Sequence, residues 1–172
     1  MFNLTQWEHI QAQNTAERLY TRVTIVGQFA RIWGMLRGKN NQRLEFAAIP
    51  EDVYTTVATT RASAVPISRI RGTAQPGQQQ QFDAAFRPTT SDIRKRWLRV
   101  ALAYERAIDL PPVELIEVDR AYFVRDGHLR VSVARAMGRT YVEANVTVYT
   151  APATSPKSRI GCAEQVLSLS KA

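Results

Sequence analysis

The feature that most constrains this chain is a change of hydrophobic period across one glycine. Ala121-Tyr-Phe-Val-Arg125 is rich in aromatic and β-branched residues, the composition of a half-buried strand. Val131-Ser-Val-Ala-Arg-Ala-Met137 repeats its apolar residues at helical spacing and stops at Gly138, a natural left-handed helix cap. Between them stands Asp126-Gly-His-Leu-Arg130, so the chain passes from strand to helix through a glycine turn. The first amides of such a helix have no partners within it, and the helix dipole draws an anion to them. Gly127 permits close approach of backbone or ligand, and Arg130 brings a fixed positive charge within a turn of the same spot. Phosphate is the ligand this pattern fits best. The same residues also allow a plainer reading, a tight corner in which Asp126 caps the helix and Arg130 is solvated. The crowding of Asp, His and Arg into one turn favours the first.

The rest of the chain supplies a frame for that turn. Thr5 and Glu8 make a capping-box pattern and Gly38 closes the periodic segment after it, which predicts one or two helices over about thirty residues. Leu19, Val23, Val26, Ala30 and Trp33 form one apolar row of this arm, and Ile25, Phe29, Ile32 and Leu36 the next. Gly27 and Gly34, two turns apart, suit close helix packing or a kink. Such an arm packs on its own domain, binds a partner or a second copy, or lies at a membrane interface. Residues 39–63 read as a connector, with Leu44-Glu-Phe46 the start of a short helix and Val53 to Val57 of strand composition.

A strand is expected over Ala64–Ile70, with Pro66 near its start and Gly72 at its end. Thr73 to Gln81, with Pro76, Gly77 and four consecutive glutamines, reads as a loop anchored by Phe82 and Phe86. A helix runs from Thr89-Thr90-Ser91 to about Ile108, before Pro111-Pro112. Its inward face is Ile93, Trp97, Val100, Ala101 and Tyr104. Lys95, Arg99 and Arg106 fall within about 40° on the outward side. Val113–Val118 and Ala121–Arg125 form a hairpin through Asp119-Arg120. Over Thr140–Tyr149, apolar Val142, Ala144, Val146 and Val148 alternate with polar neighbours, the clearest strand signal present. From Ala151 the chain is rich in Pro, Ser and Thr and reads as a flexible tail, with a weak helix over Ala163–Leu169.

Composition excludes several classes. The 172 residues suffice for one domain with appendages, and no apolar run is long enough to span a bilayer. The N-terminus lacks the blocks of a signal peptide, and Cys162 has no partner for an internal disulfide, so the cytoplasm is the expected compartment. His9 and His128 with one cysteine lack zinc-ligand spacing, so no metal site is expected of the protein itself. There is no Gly-x-Ser-x-Gly elbow, and no Walker or Rossmann glycine pattern. The formal charge is +8, yet residues 108–150 hold five basic and six acidic side chains, so the excess lies around the glycine turn's segment rather than in it. That excess favours polyanionic partners, DNA among them.

The order strand, loop, helix, two strands, glycine turn, helix, strand resembles the N-terminal domain of the ParB/sulfiredoxin superfamily, over about residues 64–150. The residues that carry the resemblance are Val65-Pro-Ile-Ser-Arg-Ile-Arg-Gly, Gln75-Pro-Gly, Pro111-Pro-Val-Glu-Leu-Ile-Glu-Val and, most specifically, Asp126-Gly-His-Leu-Arg-Val-Ser-Val-Ala-Arg. It implies a small mixed α/β (α+β) sheet with packed helices, and phosphate binding at the turn by Gly127, His128, Leu129 and Arg130, with Arg69 and Arg71 nearby. The implied ligand is a nucleotide (ATP, ADP or CTP) or another phosphorylated small molecule, with Mg²⁺ recruited mainly by the phosphates. Kinase-like or NTP-hydrolysing turnover would use Asp126, His128 or Glu114 as catalytic groups. Sulfiredoxins carry a cysteine in this turn where His128 and Leu129 stand, so peroxiredoxin repair is not implied. ParB-like members often have a second histidine at the position of Leu129, and ParB proteins an arginine at that of Gly77. They continue into a helix-turn-helix domain, for which too little chain is expected after Tyr149.

These observations divide the chain into a helical arm and connector (1–63), a ParB-like domain (64–150) and a tail (151–172). The leading reading is a nucleotide-binding domain at 126–130. The alternatives are a non-catalytic DNA-associated regulator using Lys95, Arg99 and Arg106, related to chromosome partitioning, and an interaction module that forms a homodimer or binds a protein through the arm.

Overall fold

The computed structural model describes residues 4–37, 44–47, 60–118 and 120–149. Six strands, β1 (Glu45–Phe46), β2 (Thr60–Pro66), β3 (Ile70–Thr73), β4 (Val113–Val118), β5 (Ala121–Asp126) and β6 (Tyr141–Tyr149), form one mixed sheet in the order β1-β3-β5-β4-β6-β2. Four helices accompany them: α1 (Leu4–Leu36), the single turn α2 (Gln78–Gln81), α3 (Arg94–Glu105) and α4 (His128–Ala136). This is the mixed α/β architecture the order of elements predicts. The expectations for Val53–Val57, Cys162 and the tail lie outside the described residues.

The sheet grows from the β4–β5 hairpin, which turns through Arg120 at a positive φ of 65°. β3 adds in parallel to β5, and β6 in parallel to β4. The alternation of β6 holds over its first part, where Val142, Ala144 and Val146 are buried and Tyr141 and Glu143 exposed, but breaks at its end, where Thr147 is buried and Val148 only half-buried. The inner residues of β6 join Val65, Ile70, Val113, Leu115, Tyr122 and Val124 beneath Ile93 and the Val131 and Ala134 side chains of α4. On the other face Ile116, Val118 and Phe123 form a smaller buried cluster.

Two expectations need correction. The single strand over Ala64–Ile70 is two strands in different parts of the sheet, split by a 3-10 turn at Ile67–Arg69. Pro66 ends β2 rather than starting a strand, on a sheet edge where a missing N–H costs little. Leu44-Glu-Phe46 does not start a helix; Glu45–Phe46 pairs in parallel with Gly72–Thr73 as an edge strand. Gly72 therefore lies inside β3, and a Cβ there would press into the Glu45 carbonyl and stand 2.8 Å from the Glu45 Cβ. Only glycine lets β1 approach.

α1 is one continuous helix of 33 residues, running through Gly27 and Gly34 unbroken. It packs on α3 through Ala16 and Tyr20, which meet Trp97, Ala101 and Val133. The Tyr20 ring stands edge-on to Trp97 with centroids 5.2 Å apart. Gly27 is buried, and a Cβ on it would stand 3.7 Å from the Arg87 side chain. The packed side is thus the one with small residues. The expected rows of Ile25, Phe29, Ile32 and Leu36, and of Val26 and Trp33, face outward and are exposed. Hydrophobic periodicity located the helix but not the face it buries, because close approach of two helices favours small side chains over large ones.

The expected boundary at 63/64 falls inside β2, and β1 and α1 both pack on the 64–150 unit. Among the described residues, no helix is long and apolar enough to cross a membrane.

Candidate functional site

β5 delivers the chain to Asp126, and Gly127 turns it into α4 with φ 95° and ψ 22°, a left-handed conformation that favours glycine. No side chain caps α4, so Asp126 does not play the capping role of the plainer reading. The first intrahelical bond closes from the Val131 N–H to the Gly127 carbonyl at 3.0 Å, which leaves the amides of His128, Leu129 and Arg130 ahead of the ladder.

Arg130 folds back over the turn. Its Nη2 donates to Asp126 Oδ2 at 2.8 Å, its side chain is 15% exposed, and its Nε is buried with no hydrogen-bond partner. A Cβ at position 127 would lie 2.7 Å from both this guanidinium and Val113 Cγ1. The glycine is therefore required twice, by its φ and by the arginine laid across it. Asp126 is 71% exposed, so the pair presents a cation from inside and a carboxylate from outside.

The amide end of α4 opens into a cavity of about 330 Å³. Asp126, Gly127, Leu129 and Arg130 line one wall, with Gln75, Gln78 and Gln81 from the loop opposite and Arg96 and Val100 from α3. Arg96 was not singled out in the sequence. Its signal was its place one turn before Val100, on the border between the predicted inward and outward faces of α3. The glutamines enter because Gly77, at φ 85°, starts the short α2 turn inside the predicted loop.

His128 is placed differently from a phosphate ligand. The residue is 6% exposed, its ring packs in a triangle with those of Phe82 and Phe86, centroids 6.1 and 6.4 Å away, and its Nε2 lies 2.7 Å from Thr73 Oγ1. Thr73, fully buried, also receives the Gln75 N–H at 2.9 Å. Burial lowers the His128 pKa from the usual 6.5 to about 4, against the smaller opposing pull of Asp126. The imidazole is thus neutral near pH 7 and locks the start of α4 to the end of β3, while the residue's backbone lines the turn.

The remaining predicted residues are dispersed. Glu114 pairs across from Asp126 in the sheet, yet its Oε1 accepts from Asn145 Nδ2 at 2.9 Å and it does not line the cavity. Arg69 ends the 3-10 turn and Arg71 is the bulged residue of β3; both are exposed and neither lines the cavity. Lys95 and Arg99 are exposed on α3, and Arg106, also exposed, follows the helix end and contacts His9 of α1. Arg94, at the start of α3, is paired with Glu17. Among the described residues no group of three His, Cys, Asp or Glu side chains could hold a metal ion.

No family model matches this chain, and no curated protein matches it. Among solved structures it is similar to sulfiredoxin from Arabidopsis thaliana, at 15% identity and a TM-score of 0.38, covering 50% of this chain and 83% of that one. At that score the likeness says nothing of chemistry, which rests on the residues of this chain.

Proposed function

We propose that the cavity at the start of α4 binds the phosphate of a nucleotide or another phosphorylated small molecule. The observation that carries this reading is the uncapped amino end of α4 opening into a cavity that two arginines line. The amides of His128, Leu129 and Arg130 supply oriented donors, and Arg96 and Arg130 supply charge. The buried, unpartnered Nε of Arg130 adds a donor not used by Asp126. The glutamine side chains from 75, 78 and 81 offer both donors and acceptors to the rest of the ligand. His128 acts as a positioning residue through Thr73.

A nucleotide (ATP, ADP or CTP) fits this donor set, and Mg²⁺ would arrive on its phosphates, with Asp126 the carboxylate at hand. If turnover accompanies binding, Asp126 is the exposed base of the site, because Glu114 is engaged by Asn145 and the His128 ring is buried. Calorimetric titration and thermal shift with ATP, ADP, CTP and GTP, each with and without Mg²⁺, test the reading. Binding to at least one, reduced in an Arg96→Ala variant, is expected. No heat and no shift with all four would remove the nucleotide reading.

A further inference from the structure

We propose that the outer face of α1 docks on an anionic phospholipid surface, lying in the headgroup plane with Phe29, Ile32, Trp33 and Leu36 inserted. At 100° per residue these four, with Ile25, fall within about 60° of Phe29, whereas Tyr20 and Gly27 point the opposite way, into the domain. The four are 69%, 56%, 57% and 75% exposed. A contiguous apolar face of this kind on a helix whose other side is already packed marks an interaction surface.

Charge selects the occupant. From Arg18 to Arg37 the helix carries Arg18, Arg22, Arg31 and Arg37 and no acidic residue. Arg31 lies away from the apolar face, but a second copy laid patch on patch would still bring Arg18, Arg22 and Arg37 of each chain together, six guanidinium groups, which opposes self-association and favours an anionic surface. Arg18 and Arg22 share the azimuth of the apolar row, within about 20° of Phe29, just before the row begins. At its other end the Arg37 guanidinium lies 5.0 Å from the Trp33 ring centre, a cation beside an indole, as interfacial segments place them. The segment from Ile25 to Leu36 is about 18 Å long, too short to cross a bilayer, so it lies on the surface. This face is distinct from the α4 cavity and needs no nucleotide.

Sedimentation of the full chain with vesicles tests the proposal, comparing phosphatidylcholine alone with phosphatidylcholine containing phosphatidylglycerol. Binding to the anionic vesicles is expected, with a blue shift of tryptophan emission in a Trp7→Phe background, where the buried Trp97 contributes a constant signal and Trp33 the change. The double variant Phe29→Gln/Ile32→Gln keeps the net charge and should bind at least about tenfold more weakly. Both side chains are exposed, so its melting temperature should equal the parent's. Leu36→Gln, at the helix end, gives a second reading, a smaller loss in the same direction, should the double variant melt early. Absence of binding to anionic vesicles overturns the proposal. Equal binding by the parent and the glutamine variants also overturns it, because adhesion would then come from net charge alone. So does a stable dimer by light scattering that the variants dissolve, which would assign the face to a second copy.

Discussion

At the scale of single residues, the turn depends on Gly127 and Arg130 in different ways. Gly127→Ala should destabilise the fold by about 1–3 kcal/mol, since its φ of 95° is unfavourable for alanine and the new Cβ meets Val113. Denaturant unfolding measures this, and an unchanged midpoint would mean the turn relaxes freely. Arg130→Ala should leave stability within about 1 kcal/mol, because its partner Asp126 is mostly solvated. It should weaken nucleotide binding by about 1.5–3 kcal/mol, read by calorimetry. His128 gives a third expectation, in pH. Its folded pKa of about 4 lies below the unfolded 6.5, so the unfolded state takes up its proton first as pH falls. The stability it contributes is complete above about pH 6.5 and declines toward pH 4, by about 3 kcal/mol in all. Unfolding curves at pH 7.5, 6 and 4.5 should show this decline in the parent, and a His128→Gln variant should show less of it.

At the scale of elements, β1 tests how a two-residue strand is held. Gly72→Ala would push the new methyl group into the Glu45 backbone, so β1 should detach while β3 keeps its pairing with β5. Hydrogen exchange should then quicken at Ala47, whose amide donates to the Thr73 carbonyl at 2.9 Å. Protection equal to the parent would show that β1 shifts without leaving. All three residues of the expected stripe are exposed, but only Lys95 and Arg99 lie on α3, while Arg106, past its end, meets His9. Replacing Lys95 and Arg99 with Gln should flatten the salt dependence of any duplex-DNA binding by about 1.8, at 0.9 per contact. Titrations at several salt concentrations measure the slope, and equal slopes would remove this face from a nucleic-acid interface.

At the scale of the whole molecule, α1 acts as part of the core although it is the first helix of the chain. It covers Trp97, which is fully buried and donates to Ser132 Oγ at 2.9 Å. Deleting residues 1–37 should lower the melting temperature and create binding of a hydrophobic dye at the bared Trp97–Ala101–Val133 surface. The elements legible in the sequence were those with a strong local period: the β4–β5 hairpin, the glycine turn, α3, α4 and β6. What stayed hidden was set by contacts between distant residues. The split at Ile67 follows from β2 pairing with β6 and β3 with β5, and the burial of His128 follows from Phe82, Phe86 and Thr73 converging on it. Neither has a local signature. The cavity was half legible, through Asp126 to Arg130, while Arg96 and the glutamines reach it only through the fold.

The pairing of β2 with β6 sets a timetable for biosynthesis. Thr60 lies opposite Thr147 and Pro66 opposite Tyr141, so β2 has no neighbour in the sheet until β6, about eighty residues later, has left the ribosome. α1 likewise waits for Trp97, and β3 for β5. A nascent chain therefore carries β2 unpaired until β6 is made, and α1 and one side of β3 uncovered for part of that span, a condition under which a growing polypeptide depends on chaperones.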